Sequence, residues 1–283
     1  MSTEIYYFSG TGNSLFIAKE LQKRIPGSNL IPIASLMNKK VVQTKGKTVG
    51  FVFPVHALTI PIAVKKFIRK VDFGSSEYLF AIATRQGTIF RGFNKIDQLL
   101  NKKNKHLDSH FILNMYSNDS RHNGFKVPPQ SDILSLERVA LEKLDFIQDV
   151  IKNKMVNREI DSGYTSGFSY HPIINYLLER LILSSMAISE YIGGVNYFYS
   201  DSRCSGCGVC EKVCLSKKIK MCDRKPVWQK NVLCYMCFAC LNYCPKKSVQ
   251  IKSIPGVKSF TKENDRYPHP YATFIDISSQ KEK

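Results

Sequence analysis

A chain of 283 residues that is 43% hydrophobic and 23% charged can form one large domain or two modest ones, each with a real core. The richest apolar stretch, around 173–192, is broken by Asn175, Glu179, Arg180 and Glu190. That falls short of the roughly 18 uninterrupted apolar residues of a membrane span. The formal charge of +18 comes without a basic stripe of interleaved aromatics, so no recognisable nucleic-acid module is expected.

The chain opens on Met1-Ser2-Thr3-Glu4 with no basic n-region, which argues against a secretory signal and for a cytoplasmic location. Ile5-Tyr6-Tyr7-Phe8 has the character of a buried strand. It runs into Ser9, Gly10, Thr11, Gly12, Asn13 and Ser14, and then into Leu15, Phe16, Ala18 and Leu21, the apolar face of a helix. A loop of glycines and hydroxyls entering a helix suits a phosphate, which backbone N–H groups, the helix dipole and the hydroxyls of Ser9, Thr11 and Ser14 can hold. It is neither a Walker A loop nor the dinucleotide fingerprint.

A weaker strand is expected near 29–33, and a buried strand over 48–53 ends at Pro54, Val55 and His56. An amphipathic helix follows over 61–70, with proline at its start. Another apolar strand, 78–84, leads into Thr84, Arg85, Gln86 and Gly87 and a helix through Leu100. A strand over 111–115, a loop and a long helix over 132–154 complete the pattern. This alternation predicts a doubly wound parallel α/β sheet of about five strands. Ligands of such sheets sit beyond the carboxyl ends of the strands, where strand order reverses. Three loops, 9–14, 54–59 and 84–90, should meet there. The first would hold a phosphate and the others could sandwich a flat ring, with His56 as a hydrogen-bonding group or proton relay. Phe90 and Tyr116 are more simply read as packing residues.

All nine cysteines lie between Cys204 and Cys244. Clustered cysteines in a chain expected to stay in a reducing compartment read as metal ligands rather than disulfides. Cys204, Cys207, Cys210 and Cys214 recur at an offset of 30 residues as Cys234, Cys237, Cys240 and Cys244, both sets reading C-x2-C-x2-C-x3-C. Ile219 and Met221 recur as Val249 and Ile251, a short strand after each motif. Three closely spaced thiolates can face one iron–sulfur cubane while the fourth serves the other cluster. The expected ligand sets are Cys204, Cys207, Cys210 with Cys244, and Cys234, Cys237, Cys240 with Cys214. Two runs of four are unlike the paired knuckles of zinc sites. Pro245 follows the second motif where Leu215 follows the first, and Cys222 fits neither set, reading as a small apolar residue on a hairpin between the motifs. The final 88 residues carry 16 Lys/Arg against 7 Asp/Glu. Two clusters would lower the total charge to about +14, and Lys212, Lys217 and Lys218 could steer an acidic partner.

The run Tyr7-Phe8-Ser9-Gly10-Thr11-Gly12-Asn13-Ser14 together with the double cysteine motif resembles the iron–sulfur flavoproteins, a flavodoxin-like domain fused to a bacterial-type two-cluster ferredoxin. The resemblance implies a flavodoxin-like parallel sheet of five strands in the order 2-1-3-4-5, plus a small α+β ferredoxin domain. It also implies FMN on Ser9 to Ser14 with flavin contacts from the two later loops, and two [4Fe–4S] clusters. The expected organisation is an FMN-binding domain over 1–155, a helical connector over 156–198, the two-cluster domain over 199–255 and a C-terminal tail over 256–283. The expected function is electron transfer between clusters and FMN, with an acidic ferredoxin or flavodoxin, or an oxidoreductase, as partner. A flavin-dependent reductase of a small acceptor and a redox or oxygen sensor are the alternatives.

Overall fold

The computed structural model describes residues 2–87, 89–161, 197–253 and 258–282, and positions 177, 180, 181 and 184. Most of the expected helical connector, and Thr88, lie outside the described residues. Five strands carry the N-terminal part: β1 (Thr3–Tyr7), β2 (Asn29–Pro32), β3 (Thr48–Pro54), β4 (Tyr78–Arg85) and β5 (Ser109–Asn114). A sixth, β6 (Asn157–Arg158), adds an edge of two residues. All pair in parallel in the order β2-β1-β3-β4-β5-β6. This is the predicted doubly wound order with one strand more than expected, because two residues are too few to show any periodicity.

The inner strands are apolar throughout because helices cover both faces of the sheet. β3 and β4 are buried along almost their whole length, and Phe8, Phe51, Phe53 and Phe80 are wholly enclosed. Helices α1 (Asn13–Arg24) and α4 (Gln130–Lys152) pack together, as do α2 (Ile62–Lys70) and α3 (Gly92–Asn101). In α4 the buried residues Ile133, Glu137, Ala140, Leu144, Ile147 and Ile151 recur at three- and four-residue spacing, the stripe that faces a core. No helix among the described residues is long and apolar enough to cross a membrane.

The cysteine region is small and internally repeated. Strand β7 (Phe198–Ser200) precedes the first motif. Helical turn α5 (Val209–Lys212) lies within that motif, and β8 (Ile219–Cys222) pairs antiparallel with β9 (Lys225–Trp228) after it. Turn α6 (Ala239–Asn242) lies within the second motif and β10 (Val249–Ile251) returns to pair with β7. The backbone repeats at the 30-residue offset: Gly206 and Met236, Gly208 and Phe238, and Lys217 and Lys247 all have positive φ. The second half therefore tolerates Met236 and Phe238 in a conformation that costs a side chain about 1–2 kcal/mol. That strain is acceptable only if the surroundings require this path.

The structure accounts for one difference between the motifs and changes two expectations. Leu215 is 3% exposed, so the first motif fills a core position where the second presents exposed Pro245 to solvent. Cys222 does lie on a hairpin but is exposed, so it fills no core. Lys218 cannot steer a partner, because it is 1% exposed and its Nζ donates to the carbonyls of Gln229 (2.7 Å) and Val232 (2.6 Å). It ties the chain entering the second motif back to the first. Lys218→Met should leave both carbonyls without that donor and lower stability by about 1–3 kcal/mol. Chemical denaturation of anaerobically prepared protein would measure this, with Lys217→Met, an exposed neighbour, expected to be neutral.

Candidate functional site

The predicted loops meet at the carboxyl end of the sheet. The Val55 N–H donates to the Thr84 carbonyl at 2.8 Å, and the Ser14 and Thr84 hydroxyls are 2.8 Å apart. Ser9, Thr11, Asn13 and Ser14 are all buried. Inside the loop, the Gly12 N–H donates to Ser9 Oγ at 3.1 Å. Gly12 adopts φ +110° at the start of α1, which has no side-chain cap and neither an acidic nor a basic residue in its first turn. A helix N-terminus left this way retains its positive end for an anion. Asn13 Oδ1 is buried with no hydrogen-bond partner among the described residues, although Nδ2 of the same amide donates to the Tyr116 carbonyl at 2.8 Å. An uncapped helix start suits an anion, and the orphaned Asn13 Oδ1 would accept from a hydroxyl of such a ligand.

The second and third loops differ in character. At 56–59 the chain turns back on itself, with reciprocal backbone hydrogen bonds of 3.0 Å between His56 and Thr59. Ala57 and Leu58 both take positive φ, a tight and strained turn. His56 is half-buried with its ring 6.3 Å from Phe8, edge to face. Burial, and then the nearby Arg121 charge, lowers its pKa to about 4 against the opposing pull of Asp119. At neutral pH it is an uncharged hydrogen-bonding ring. In the third loop Arg85 pairs with Asp161, which also accepts from the Phe90 N–H at 2.7 Å, while Gln86 and Gly87 are exposed. Phe90 packs into the core against Phe53 and Phe93.

A fourth loop, after β5, was not singled out from the sequence. Asn118 Nδ2 donates to the Thr11 hydroxyl, and Asn242 of the second cysteine motif donates to the Asn118 carbonyl at 3.2 Å. Asp119 holds Arg121, whose guanidinium lies 5.0 Å from the centre of the Phe238 ring. The rule that ligands gather at strand carboxyl ends was the available signal for this loop.

The eight motif cysteines fall into two neighbourhoods. One cavity is lined by Cys204, Cys207, Cys210 and Cys244. Burial pushes the Cys210 thiol up to about 12, and Cys244, Cys207 and Cys204 add to the rise. Burial likewise raises Cys240, where Cys214, Cys234 and Cys237 contribute next and Cys210 least. Cys234 is pushed up to about 11 and Cys237 to about 12, mainly by burial, with Cys214 adding to both. Cys214 thus sits with the second motif and Cys244 with the first. Among the described residues no three His, Cys, Asp or Glu side chains close round a single metal ion. A cubane holds its thiolates further apart than one ion does. Buried thiols that raise one another ionise together only if strong positive charge enters between them. Donors already face the sulfurs: the Ser248 N–H lies 3.2 Å from Cys244 Sγ, and the Met236 N–H 3.4 Å from Cys234 Sγ.

The two regions touch. A Cβ built on Gly10 would stand 2.0 Å from the carbonyl oxygen of Cys237, so the 9–14 loop and the second cysteine loop are in direct backbone contact. Tyr235 reaches the same seam, its ring 6.1 Å from Phe8. The C-terminal segment closes the other side. The Ser9 N–H donates to Gln280 Oε1 at 3.3 Å, Gln280 Nε2 donates to the Ser9 carbonyl at 2.8 Å, and the His269 N–H donates to the Thr11 carbonyl at 2.8 Å. Arg266, 8% exposed, donates to the carbonyls of Val249 (3.1 Å) and Thr261 (2.8 Å) and fastens this segment to β10.

No protein-family model matches the sequence, and no curated protein does. Solved structures similar to the chain include an azoreductase from Bacillus anthracis, at 10% identity over 53% of this chain and 99% of that one, with a TM-score of 0.34. They also include a flavodoxin from the domain Archaea, at 9% identity over 52% and 99%, with a TM-score of 0.33. An NAD(P)H:quinone oxidoreductase from Methanothermobacter marburgensis is 13% identical over 54% and 96%, with a TM-score of 0.35. Likenesses of this size say nothing about what the chain binds; the flavodoxin-like α/β architecture stands on its own strand order and connections.

Proposed function

We propose that this chain is an electron-transfer flavoprotein. In this reading Cys204, Cys207, Cys210 and Cys244 hold one [4Fe–4S] cluster, Cys234, Cys237, Cys240 and Cys214 hold a second, and the 9–14 loop holds the phosphate of FMN. Clusters of this kind pass electrons singly while a flavin takes one or two, so the pair can couple the two kinds of step. The observation that carries the reading is the contact of Gly10 with the Cys237 carbonyl. It brings a ligand loop of one redox centre against the phosphate loop of the other.

The chain's own residues then have separable tasks. The uncapped start of α1 and the hydroxyls of Ser9, Thr11 and Ser14 bind the phosphate. Thr84 and His56 border the space beyond it, His56 as a neutral hydrogen-bonding ring. Gln280 and His269 on one side and Cys237 on the other shield the phosphate loop from water.

Anaerobic purification with iron, sulfide and flavin quantified, followed by reductive titration, tests the reading. The expected inventory is about eight irons and one FMN per chain. Zinc in place of iron and sulfide would overturn it, as would metal centres that fail to reduce the bound flavin.

A further inference from the structure

A groove of about 340 Å³ runs between α2 and the second cysteine loop. Its apolar lining comes from Met37, Val232 and Leu233, and its basic lining from Lys66, Arg69 and Lys70. Lys66 and Arg69 are exposed and form no ion pair among the described residues. Lys70 donates to the Met37 carbonyl at 2.5 Å and so helps to shape the wall. The groove ends on Tyr235 and Ser216, which stand beside Cys234 and two residues beyond Cys214 in the chain. Cys214 and Cys234 belong to the same thiol neighbourhood.

The charge around this groove is one-sided. Its lining includes Lys66, Arg69 and Lys70 and no Asp or Glu. Exposed Lys66 and Arg69, with no ion-pair partner among the described residues, produce a positive field that extends beyond the contact surface and accelerates encounter with an acidic body. The cations stand on an exposed rim above an apolar floor. That arrangement suits the acidic face of a protein, with an apolar residue at its centre, better than a single small anion.

We propose that this groove is the docking surface for an acidic protein electron carrier of the ferredoxin type, seated over the Cys234–Cys214 side of the cysteine region. The proposal rests on the electron-transfer reading above. It gives the second cluster site two neighbours, the carrier on one side and the phosphate loop on the other. One electron leaves the carrier and enters the chain at each encounter, so the carrier is oxidised as the chain is reduced. The basic residues expected from the sequence to steer a partner, Lys212 and Lys217, are exposed and extend the same field without lining the groove.

The test compares the full, iron-loaded chain with Lys66→Glu/Arg69→Glu and with Arg138→Glu/Lys152→Glu. The second pair reverses two exposed charges on α4, which packs with α1 rather than with α2. Stopped-flow reduction by a pre-reduced acidic [2Fe–2S] ferredoxin at low ionic strength is measured beside reduction by dithionite. The expected result is a fall of about tenfold or more in the carrier rate for the groove variant. Added salt should remove most of the difference, the α4 variant should stay within about twofold, and dithionite reduction should be unchanged in all three. An unchanged carrier rate in the groove variant, or an equal fall in the α4 variant, overturns the docking site while the electron-transfer reading stands. Iron centres that dithionite cannot reduce in the unaltered chain would instead overturn that reading and this proposal with it.

Discussion

Replacing Cys214 with alanine should remove one cluster and spare the other, and the lost cluster should be the one served by the second motif. The unaltered chain is expected to hold about eight irons and the single variant about four. The pairing follows from combining it with a second substitution. If Cys214 completes the Cys234, Cys237, Cys240 set, Cys214→Ala/Cys237→Ala also retains about four irons, because both changes fall on one cluster. Cys214→Ala/Cys207→Ala then retains almost none. Ligation of each cluster by its own motif predicts the reverse: four irons with Cys207→Ala and none with Cys237→Ala.

The structure favours the interleaved outcome on electrostatic neighbourhood. Cys214 adds to the rise in the thiol pKa of Cys234, Cys237 and Cys240, whereas Cys244 does so at Cys210 and shares its cavity. Iron and sulfide analysis of anaerobically prepared variants reads the result directly. Stability should fall in the same order as iron content, since a cluster shared between two half-motifs crosslinks them.

Much of this arrangement was legible in the chain. Strands such as β3 and β4 are continuous apolar runs because both faces are covered, and such runs can be read without knowing which strand neighbours which. The cysteine repeat carries its register in its spacing, and the positive-φ positions that accompany it are a consequence of the same path. What the sequence does not reveal is polar and non-local. Gln280 binds both the N–H and the carbonyl of Ser9 across 271 positions, and no pattern around residue 280 points to residue 9. Asn118 and Arg121 lie in a polar loop without periodicity, so their meeting with Thr11 and Phe238 depends on the docking of two regions. Lys218 was misread for a related reason. A lysine in a basic run looks solvated, and only the fold supplies the two carbonyls that bury its amine.

Gly10→Ala should separate the 9–14 loop from the second cysteine loop. The added methyl would stand 2.0 Å from the Cys237 carbonyl oxygen and 2.6 Å from Cys237 Cβ. Part of that obstacle is backbone, which cannot rotate away as the end of a flexible side chain would. The loops must move apart, and overpacking of this kind costs about 1–3 kcal/mol. For a chain of this size that corresponds to a fall in Tm of roughly 2–4 °C for each kcal/mol. The local consequence is more informative. Amide hydrogen exchange should quicken at residues 235–240 and at Ser9, whose N–H donates to Gln280 Oε1, while the interior of β3 and β4 stays protected. Iron content should stay near that of the unaltered chain, because all eight thiols remain. Exchange at 235–240 as slow as in the unaltered chain, with an unchanged Tm, would show that the loops are not in contact in solution. A loss of iron would show that the second cysteine set depends on this contact for its shape. The Cys214 series measures the ligand sets independently of the seam.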